Sequence, residues 1–174
     1  MIAAVVAVDE NNAIGWKGDM LISIPGDLKM FRELTSGHIV MMGRKTYDAL
    51  PHGPLLNRTN VVITSRAGMQ GARVKASNGA EYYIAELNSA KRWLQDEAKA
   101  CGKHCFVIGG GMIYKELLSY CERVYLTRIH RAFDEADTWF PDIGKMPEWK
   151  IASCGEMQYN GETPYQFCIY EKIK

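Results

Sequence analysis

Four short, largely apolar runs are the feature that most limits how this chain can fold. They span residues 2–8, 38–42, 60–64 and 105–108, and they are rich in Val, Ile and Met. A continuous run of this kind is typical of a strand buried on both faces, as in a parallel sheet. Helical patterns lie between the runs, and strands that alternate with helices predict an α/β fold.

The remaining segments complete the predicted sheet. Residues 149–154 and 165–173 alternate between apolar and polar positions and are expected to pair as a closing hairpin, with a turn near Asn160 and Gly161. The prediction is a single domain, residues 1–174, whose mostly parallel central sheet of about eight strands has an antiparallel C-terminal strand and about four flanking helices. Further strands are predicted at 73–76 and 123–129, an edge segment at 136–141, and helices at 25–35, 47–50, 89–102 and 112–118; residues 81–85 fit a strand or a helix start.

Composition excludes several classes of protein. The chain is 47% hydrophobic and 24% charged with a net charge of +1, which argues against a nucleic-acid or membrane surface as its main partner. The first apolar run lacks a basic leader and ends at Asp9, so it predicts a strand and not a signal peptide. The five cysteines are odd in number, which suggests reduced thiols in a cytoplasm. No metal is expected, because Cys101, His104 and Cys105 have no second ligand pair.

One acidic residue, Asp27, lies on the apolar face of a predicted helix. Pro25 suits the first turn, and Leu28, Phe31 and Leu34 recur at helical spacing. Asp27 is therefore either an acid that helps to cap the helix N-terminus or a carboxyl in an apolar pocket with a raised pKa. The helix alone leaves both interpretations open.

Three predicted strand ends have residues suited to phosphate. Open α/β sheets bind ligands at the carboxyl ends of their strands. Cations, hydroxyls and bare main-chain amides at such ends bind anions, and three ends together predict a long phosphorylated cofactor. Two guanidiniums and a hydroxyl suit an extra monoester phosphate, which favours NADPH over NADH. The three segments are Gly43-Arg44-Lys45-Thr46, Ile63-Thr64-Ser65-Arg66 and Ile108-Gly109-Gly110-Gly111.

In these and other segments the chain resembles the dihydrofolate reductase family over almost its whole length. The resemblance implies a cytoplasmic, monomeric enzyme of one-carbon metabolism and thymidylate synthesis, and an antifolate target. It would reduce 7,8-dihydrofolate to 5,6,7,8-tetrahydrofolate by hydride transfer from nicotinamide C4 of NADPH to pterin C6, with protonation at N5. The matching residues are Val5 to Ala7, Ile14-Gly15, Ile24 to Leu28, Phe31, Met42 to Thr46, Arg58, Ile108 to Gly111, Tyr114, Tyr125 to Thr127, Asp137-Thr138 and Phe140-Pro141.

The resemblance also implies roles for individual residues. Asp27 and Thr127 would bind the 2-amino and ring N–H edge of the pterin, with water delivering the proton to N5. The catalytic positions would be Asp27, Thr127 and Ile22, and Arg58 would clamp the α-carboxylate of the glutamate tail. The substrate site would also include Val5, Leu28, Phe31, Leu50, Leu55, Ile108 and Tyr114. The cofactor site would comprise Val6, Ala7, Ile14, Gly15, Met20, Gly43, Arg44, Lys45, Thr46, Ile63, Thr64, Ser65, Arg66, Gly109, Gly110, Gly111, Met112, Ile113 and Tyr114, with a cis peptide between Gly109 and Gly110.

The chain also departs from the family pattern. Leu21-Ile22 replaces the usual Pro-Trp of the flap (residues 10–24), and Ile22 cannot hydrogen-bond the ordered water that the Trp helps to anchor. Met112 replaces a frequent basic residue beside the cofactor phosphate, and His52-Gly53 adds one residue before Arg58. Two alternatives therefore stay open: a pyrimidine reductase of riboflavin biosynthesis with the same fold, and a catalytically impaired protein that binds NADPH or folate.

Overall fold

The computed structural model describes residues 1–66, 71–98 and 100–173. Within these ranges the chain forms thirteen strands, four α-helices and two short 3-10 helices. The strands are β1 (Ile2–Val8), β2 (Ala13–Trp16), β3 (Asp19–Met20), β4 (Ile39–Gly43), β5 (Thr59–Ile63), β6 (Arg73–Lys75), β7 (Glu81–Ala85), β8 (Cys105–Gly109), β9 (Arg123–Ile129), β10 (Thr138–Trp139), β11 (Trp149–Cys154), β12 (Gln158–Asn160) and β13 (Thr163–Lys172). The α-helices are α1 (Pro25–Thr35), α2 (Arg44–Asp48), α3 (Leu87–Asp96) and α4 (Gly111–Leu117).

Ten of these strands form one central sheet in the order β11-β13-β9-β1-β8-β4-β5-β7-β6, with β12 paired to β13. The strands from β9 to β7 are parallel, whereas β13, β11, β12 and β6 pair antiparallel at the two ends. The predicted α/β class, the parallel centre and the closing antiparallel pair are confirmed. The sheet has ten strands where about eight were expected, and residues 81–85 form a strand.

Alternate residues of β1 face two separate cores, because strand side chains point to opposite faces in turn. Ala3 and Val5 join the core on the α1 side, whereas Ala4 and Val6 pack toward α3 and α4. Leu94 of α3 and Leu117 of α4 are almost completely buried on that second face. Burial of such a side chain stabilises the fold by about 2 kcal/mol.

The flap, residues 10–24, contains regular secondary structure. β2 and β3 form a hairpin whose two turn residues, Lys17 and Gly18, have φ values of 49° and 86°. Positive φ at both positions is the geometry of the tight hairpin turn that suits the twist of paired strands. The hairpin pairs in turn with β10, so a second sheet of order β10-β2-β3 covers this end of the molecule.

Helix boundaries differ modestly from the predictions. The short helix predicted at 47–50 begins earlier, at Arg44, directly after β4. The helix predicted to end at Gly102 ends at Asp96. No helix among the described residues is long and apolar enough to cross a membrane. In the same residues no cluster of three or more His, Cys, Asp or Glu side chains could hold a metal ion.

The cysteine prediction was wrong for one pair. Cys154 and Cys168 are joined by a disulfide, whereas Cys101, Cys105 and Cys121 are free. The two residues lie directly opposite each other in the antiparallel pair of β11 and β13, with Cα atoms 4.1 Å apart. The strand register brings them together, and cysteine number alone does not reveal that register.

Candidate active site

The three strand ends proposed to bind phosphate are adjacent in the sheet. β5, β4 and β8 are consecutive and parallel, so their carboxyl ends lie along one edge. Gly43 pairs with Ile63, and Met42 pairs with Gly109. The segments beginning at Arg44, Thr64 and Gly110 therefore leave the sheet side by side, as the sequence predicted.

Asp27 meets a central strand through one hydrogen bond. Thr127, which lies fully buried on β9, donates from Oγ1 to Asp27 Oδ1 at 2.5 Å. Thr127 is also the register partner of Ala7 on β1. The carboxyl at the start of α1 is thereby fixed against β9, the outermost parallel strand, which lies next to the strand that contains Ala7.

Burial raises the pKa of Asp27 above its ordinary value, and the hydrogen bond from Thr127 opposes that rise without cancelling it. The Asp27 charge acts on Tyr114 as well, because burial and then the nearby Asp27 carboxylate raise the pKa of Tyr114. Tyr114 donates from its hydroxyl to the carbonyl of Val5 at 2.6 Å. The region around Asp27 therefore disfavours a negative charge on either side chain.

The capping interpretation of Asp27 does not match the helix geometry. The N-cap of α1 is Ile24, and no side chain caps the helix by a hydrogen bond. Asp27 lies in the first turn, where its charge still benefits from the helix dipole. Its side chain bonds to Thr127 on the neighbouring strand and not to the helix amides.

Apolar residues predicted to line the substrate site belong to one cluster. Phe31, Leu50, Leu55 and Ile108 are half-buried and pack against the core that includes Val5. Leu28 is 40% exposed, so the apolar stripe of α1 is only partly covered by the protein itself. The cluster provides an apolar wall that begins near Asp27 and runs along α1.

Arg58 lies at the far end of that helix. Its Nε donates to the carbonyl of Leu56 at 2.9 Å, and one terminal nitrogen donates to Thr35 Oγ1 at 3.0 Å. Burial, together with the charge of Arg32, lowers the pKa of Arg58. Among the described residues its second terminal nitrogen has no hydrogen-bond partner, so the end of the fork is available to a carboxylate.

Sequence reasoning missed the residue that fixes the loop before Arg58. Asn60 is completely buried, and its amide exchanges two hydrogen bonds of 2.9 Å with the main chain of Leu55. It also donates to the carbonyls of Arg58 and Glu81. A buried amide inside an otherwise apolar strand, as in Asn60-Val-Val-Ile, is the signal that could have identified it.

The flap packs against β1 near Ala7, the register partner of Thr127. Ile22 and Ala7 are half-buried and pack in one cluster with Ile24, so Ile22 contributes only apolar contact there. Ile14 and Gly15 lie on β2, and Met20 ends β3 with 54% of its surface exposed. A Cβ on Gly15 would lie 2.8 Å from the carbonyl oxygen of Asp19, so the hairpin itself requires glycine at this position.

Asp137 is a second residue whose role was missed. Its carboxylate accepts a hydrogen bond of 2.8 Å from the amide of Lys17, and its own amide donates to the carbonyl of Gly15. The hydrogen bonds from the Lys17 amide and Thr138 lower the pKa of Asp137. Asp137 therefore joins the hairpin turn of the flap to the segment that leads into β10.

The phosphate end combines polar groups with close backbone packing. The peptide between Gly109 and Gly110 is cis, and added Cβ atoms there would lie 3.4 and 3.3 Å from Thr46 Oγ1. Gly111 leaves no space either, because its Cβ would meet Thr138 at 2.8 Å. Arg44 bonds through Nε to Asp48 at 2.8 Å. Lys45, Ser65, Arg66 and Met112 are exposed, whereas Val6, Gly43, Ile63, Thr64 and Ile113 are buried behind them.

Fold and site together define a class of α/β enzymes with two features. A carboxyl of raised pKa lies in the first turn of α1, and the ends of neighbouring parallel strands form a polar edge. A dihydrofolate reductase family model matches residues 1–172. Dihydrofolate reductase of Bacillus subtilis is 36% identical, covering 99% of this chain and 95% of that protein. HdrB of Haloferax volcanii, also a dihydrofolate reductase, is 33% identical over 97% and 81%.

A solved structure gives the same result. Dihydrofolate reductase from Enterococcus faecalis, complexed with NADP(H) and RAB-propyl, superimposes with a TM-score of 0.78 and 28% identity, covering 100% of this chain and 97% of that one. The chain belongs to the dihydrofolate reductase family. The activity of this class is the NADPH-dependent reduction of dihydrofolate.

Proposed function

We propose that this chain reduces 7,8-dihydrofolate with NADPH, using Asp27 and Thr127 to bind the pterin and Arg58 to bind the glutamate tail. The observation that best supports these roles is the hydrogen bond that joins Thr127 on β9 to Asp27 on α1. The apolar wall of Phe31 and Leu50 extends from it. An aromatic ring system with a polar edge and an anionic tail matches this order of groups.

Asp27 is proposed to control protonation at the polar edge of the pterin. Its raised pKa keeps a proton available at the polar edge of the pterin, and a water molecule delivers the proton to N5. Ile22 and Ala7 exclude other water from the reacting face. When bound, NADPH supplies the hydride that reduces C6.

The donor set of the strand ends fits NADPH. Arg44, Ser65 and Arg66 would bind the 2′-phosphate, and the bare amides of Gly110 and Gly111 would bind the central phosphates. Ala7, Ile14, Gly15 and Met20 would contact the nicotinamide side. The remaining residues proposed for this site are Val6, Gly43, Lys45, Thr46, Ile63, Thr64, Gly109, Met112, Ile113 and Tyr114.

We further propose that residues 1–174 act as one domain, as a monomer, in the cytoplasm and without nucleic acid. The net charge of +1 supports the absence of a polyanionic partner. The Cys154–Cys168 disulfide argues against a reducing compartment, because disulfides are rare in the cytosol. Thiol counting on protein released rapidly into a denaturing alkylating reagent distinguishes a reduced chain from a bridged one, since the unfolded reduced chain has five reactive thiols and the unfolded bridged chain has three.

Replacing Arg58 with Lys tests the substrate assignment. We expect the KM for dihydrofolate to rise about tenfold or more, because an ammonium cannot present the planar fork that a carboxylate accepts. The Kd for NADPH should stay within about twofold, since the predicted cofactor residues lie at other strand ends. Initial rates and fluorescence titration measure the two quantities.

Arg32→Lys provides the matched control, because Arg32 is exposed on the last turn of α1 and its charge acts on Arg58. If the KM rises equally in both variants, the effect is not specific to the guanidinium fork of Arg58, because both substitutions keep the positive charge. An unchanged KM in Arg58→Lys would move the glutamate tail elsewhere.

A further inference from the structure

Asp9 is the one acidic or basic side chain that is completely buried among the described residues, and the reaction does not use it. A buried carboxylate is tolerated only when hydrogen-bond donors satisfy its oxygens. The donors here are main-chain amides. Oδ1 accepts from Asn11 and Ala13 at 2.8 Å each, and Oδ2 accepts from Phe133 at 3.1 Å.

The two oxygens of Asp9 serve two different segments. Asn11 and Ala13 form the root of the flap, where β2 begins. Phe133 belongs to the segment of residues 130–137, which connects β9 to β10 and contains Asp137. A main-chain bond of 3.2 Å from Glu10 to Arg131 runs alongside. One carboxylate therefore links the start of the flap to the segment that also binds the flap turn.

The main-chain carbonyl of Asp9 also contributes hydrogen bonds at the start of the flap. This carbonyl accepts hydrogen bonds from Arg128 at 3.1 Å and from the amide of Asn12 at 3.1 Å. Arg128 also donates to the side chain of Asn12, which has a φ of 61°. Asn tolerates this left-handed conformation better than most residues. Arg128 on β9 therefore fixes the turn at which the flap begins.

We propose that Asp9 is a positioning residue that makes the flap and the 130–137 segment move as one body, and so sets the affinity of the flap for the cofactor. Side-chain carboxylates attach the flap to that segment at two places, Asp9 at the root and Asp137 at the turn. Ile14 and Gly15 lie between these two attachments. The proposal rests on the proposed function only in assigning Ile14 and Gly15 to the nicotinamide.

Asp9→Asn tests the contact with Phe133 separately from the contacts with Asn11 and Ala13, because the side chain keeps nearly the same shape. With its oxygen toward Asn11 and Ala13, the new amide presents N–H groups to the amide of Phe133. Two donors then face each other, so the side-chain link from Asp9 to Phe133 is lost, while the turn and the main-chain bond from Glu10 to Arg131 remain. Asp134→Asn is the matched control, because Asp134 is exposed on that same segment and undergoes the same change of charge.

Hydrogen exchange and NADPH titration test the proposal. In Asp9→Asn we expect residues 13–20 and 133–138 to lose protection together while β4 and β8 keep theirs. The Kd for NADPH should rise about tenfold, because a flap that Asp9 no longer holds must be ordered when the cofactor binds, and the KM for dihydrofolate should change less than about twofold. Asp134→Asn should match the parent in every measurement.

Three results would overturn the proposal. One is unchanged protection at residues 133–138, and another is loss of protection throughout the sheet, which marks a purely structural role. The third is measured in the parent chain. NADPH should change the hydrogen exchange of the Ala13 and Phe133 amides together, and a change in only one of them would contradict the linkage. If the parent chain binds no NADPH, the proposed function fails, and the exchange pattern of Asp9→Asn still decides the linkage.

Discussion

Asp27→Asn should lower turnover of dihydrofolate at neutral pH by about a hundredfold or more, the usual contribution of a positioned acid or base. The amide keeps the shape of the side chain and can still accept the hydrogen bond from Thr127. It cannot hold or release a proton. Steady-state rates at saturating NADPH measure the loss, and the NADPH Kd should stay close to that of the parent chain.

Stability should change in the opposite direction. Because burial raises the pKa of Asp27 in the folded state, the folded chain binds its proton more tightly than the unfolded chain does. Stability from this group therefore falls as pH rises from the unfolded pKa through the folded pKa, and the penalty remains at neutral pH. The neutral amide removes that penalty, so denaturant unfolding at pH 7 should find Asp27→Asn as stable as the parent chain or slightly more stable.

Glu33→Gln is the matched control for both measurements. Glu33 is an exposed carboxylate on α1 whose closest cation, Lys29, is 4.0 Å away, a distance at which a surface pair contributes little. Its activity and stability should equal those of the parent chain. Full activity in Asp27→Asn would return Asp27 to a helix-dipole role and contradict its catalytic assignment.

The second large effect concerns the choice of cofactor. Arg44→Ala and Arg66→Ala should each weaken NADPH binding about tenfold or more, because each removes a charge-assisted contact to phosphate. NADH binding should change far less, since only the 2′-phosphate distinguishes the two cofactors. Titration of each variant with both cofactors gives the ratio directly.

Arg44 needs its own control because it also pairs with Asp48 at 2.8 Å. Asp48→Ala removes that ion pair and keeps the guanidinium, so NADPH affinity should be retained or improved. Equal losses for NADPH and NADH in the arginine variants would contradict the phosphate assignment. The same loss in Asp48→Ala would attribute the effect of Arg44→Ala to helix α2.

The sequence predicted the elements whose signal is local. β1 and β9 have the predicted bounds, because continuous or alternating apolar patterns mark a strand directly. The three strand ends proposed to bind phosphate are neighbours as predicted, since parallel strands end at one edge. The meeting of Asp27 and Thr127 came from the resemblance, because no spacing rule joins residues 100 positions apart.

Features that depend on long-range register could not be predicted. Cys154 and Cys168 meet through the pairing of β11 with β13, and β12 emerged beside it. The inserted loop at His52 is held by Asn78, whose amide donates to the carbonyls of His52 and Pro54 at 2.7 and 3.0 Å. These two hydrogen bonds join the loop at His52 to the turn that contains Asn78. Such contacts follow from tertiary packing and have no local pattern.

The central claim is that this chain transfers hydride from NADPH to dihydrofolate. Its most direct measurement is the absorbance of NADPH after dihydrofolate is added to the purified parent chain, with the pterin product identified. We expect one NADPH to be consumed for each tetrahydrofolate formed. No consumption with dihydrofolate would contradict it: consumption with a ribosylated aminopyrimidine would then support the riboflavin-pathway reductase, and tight binding of both ligands without turnover would support a protein impaired in catalysis.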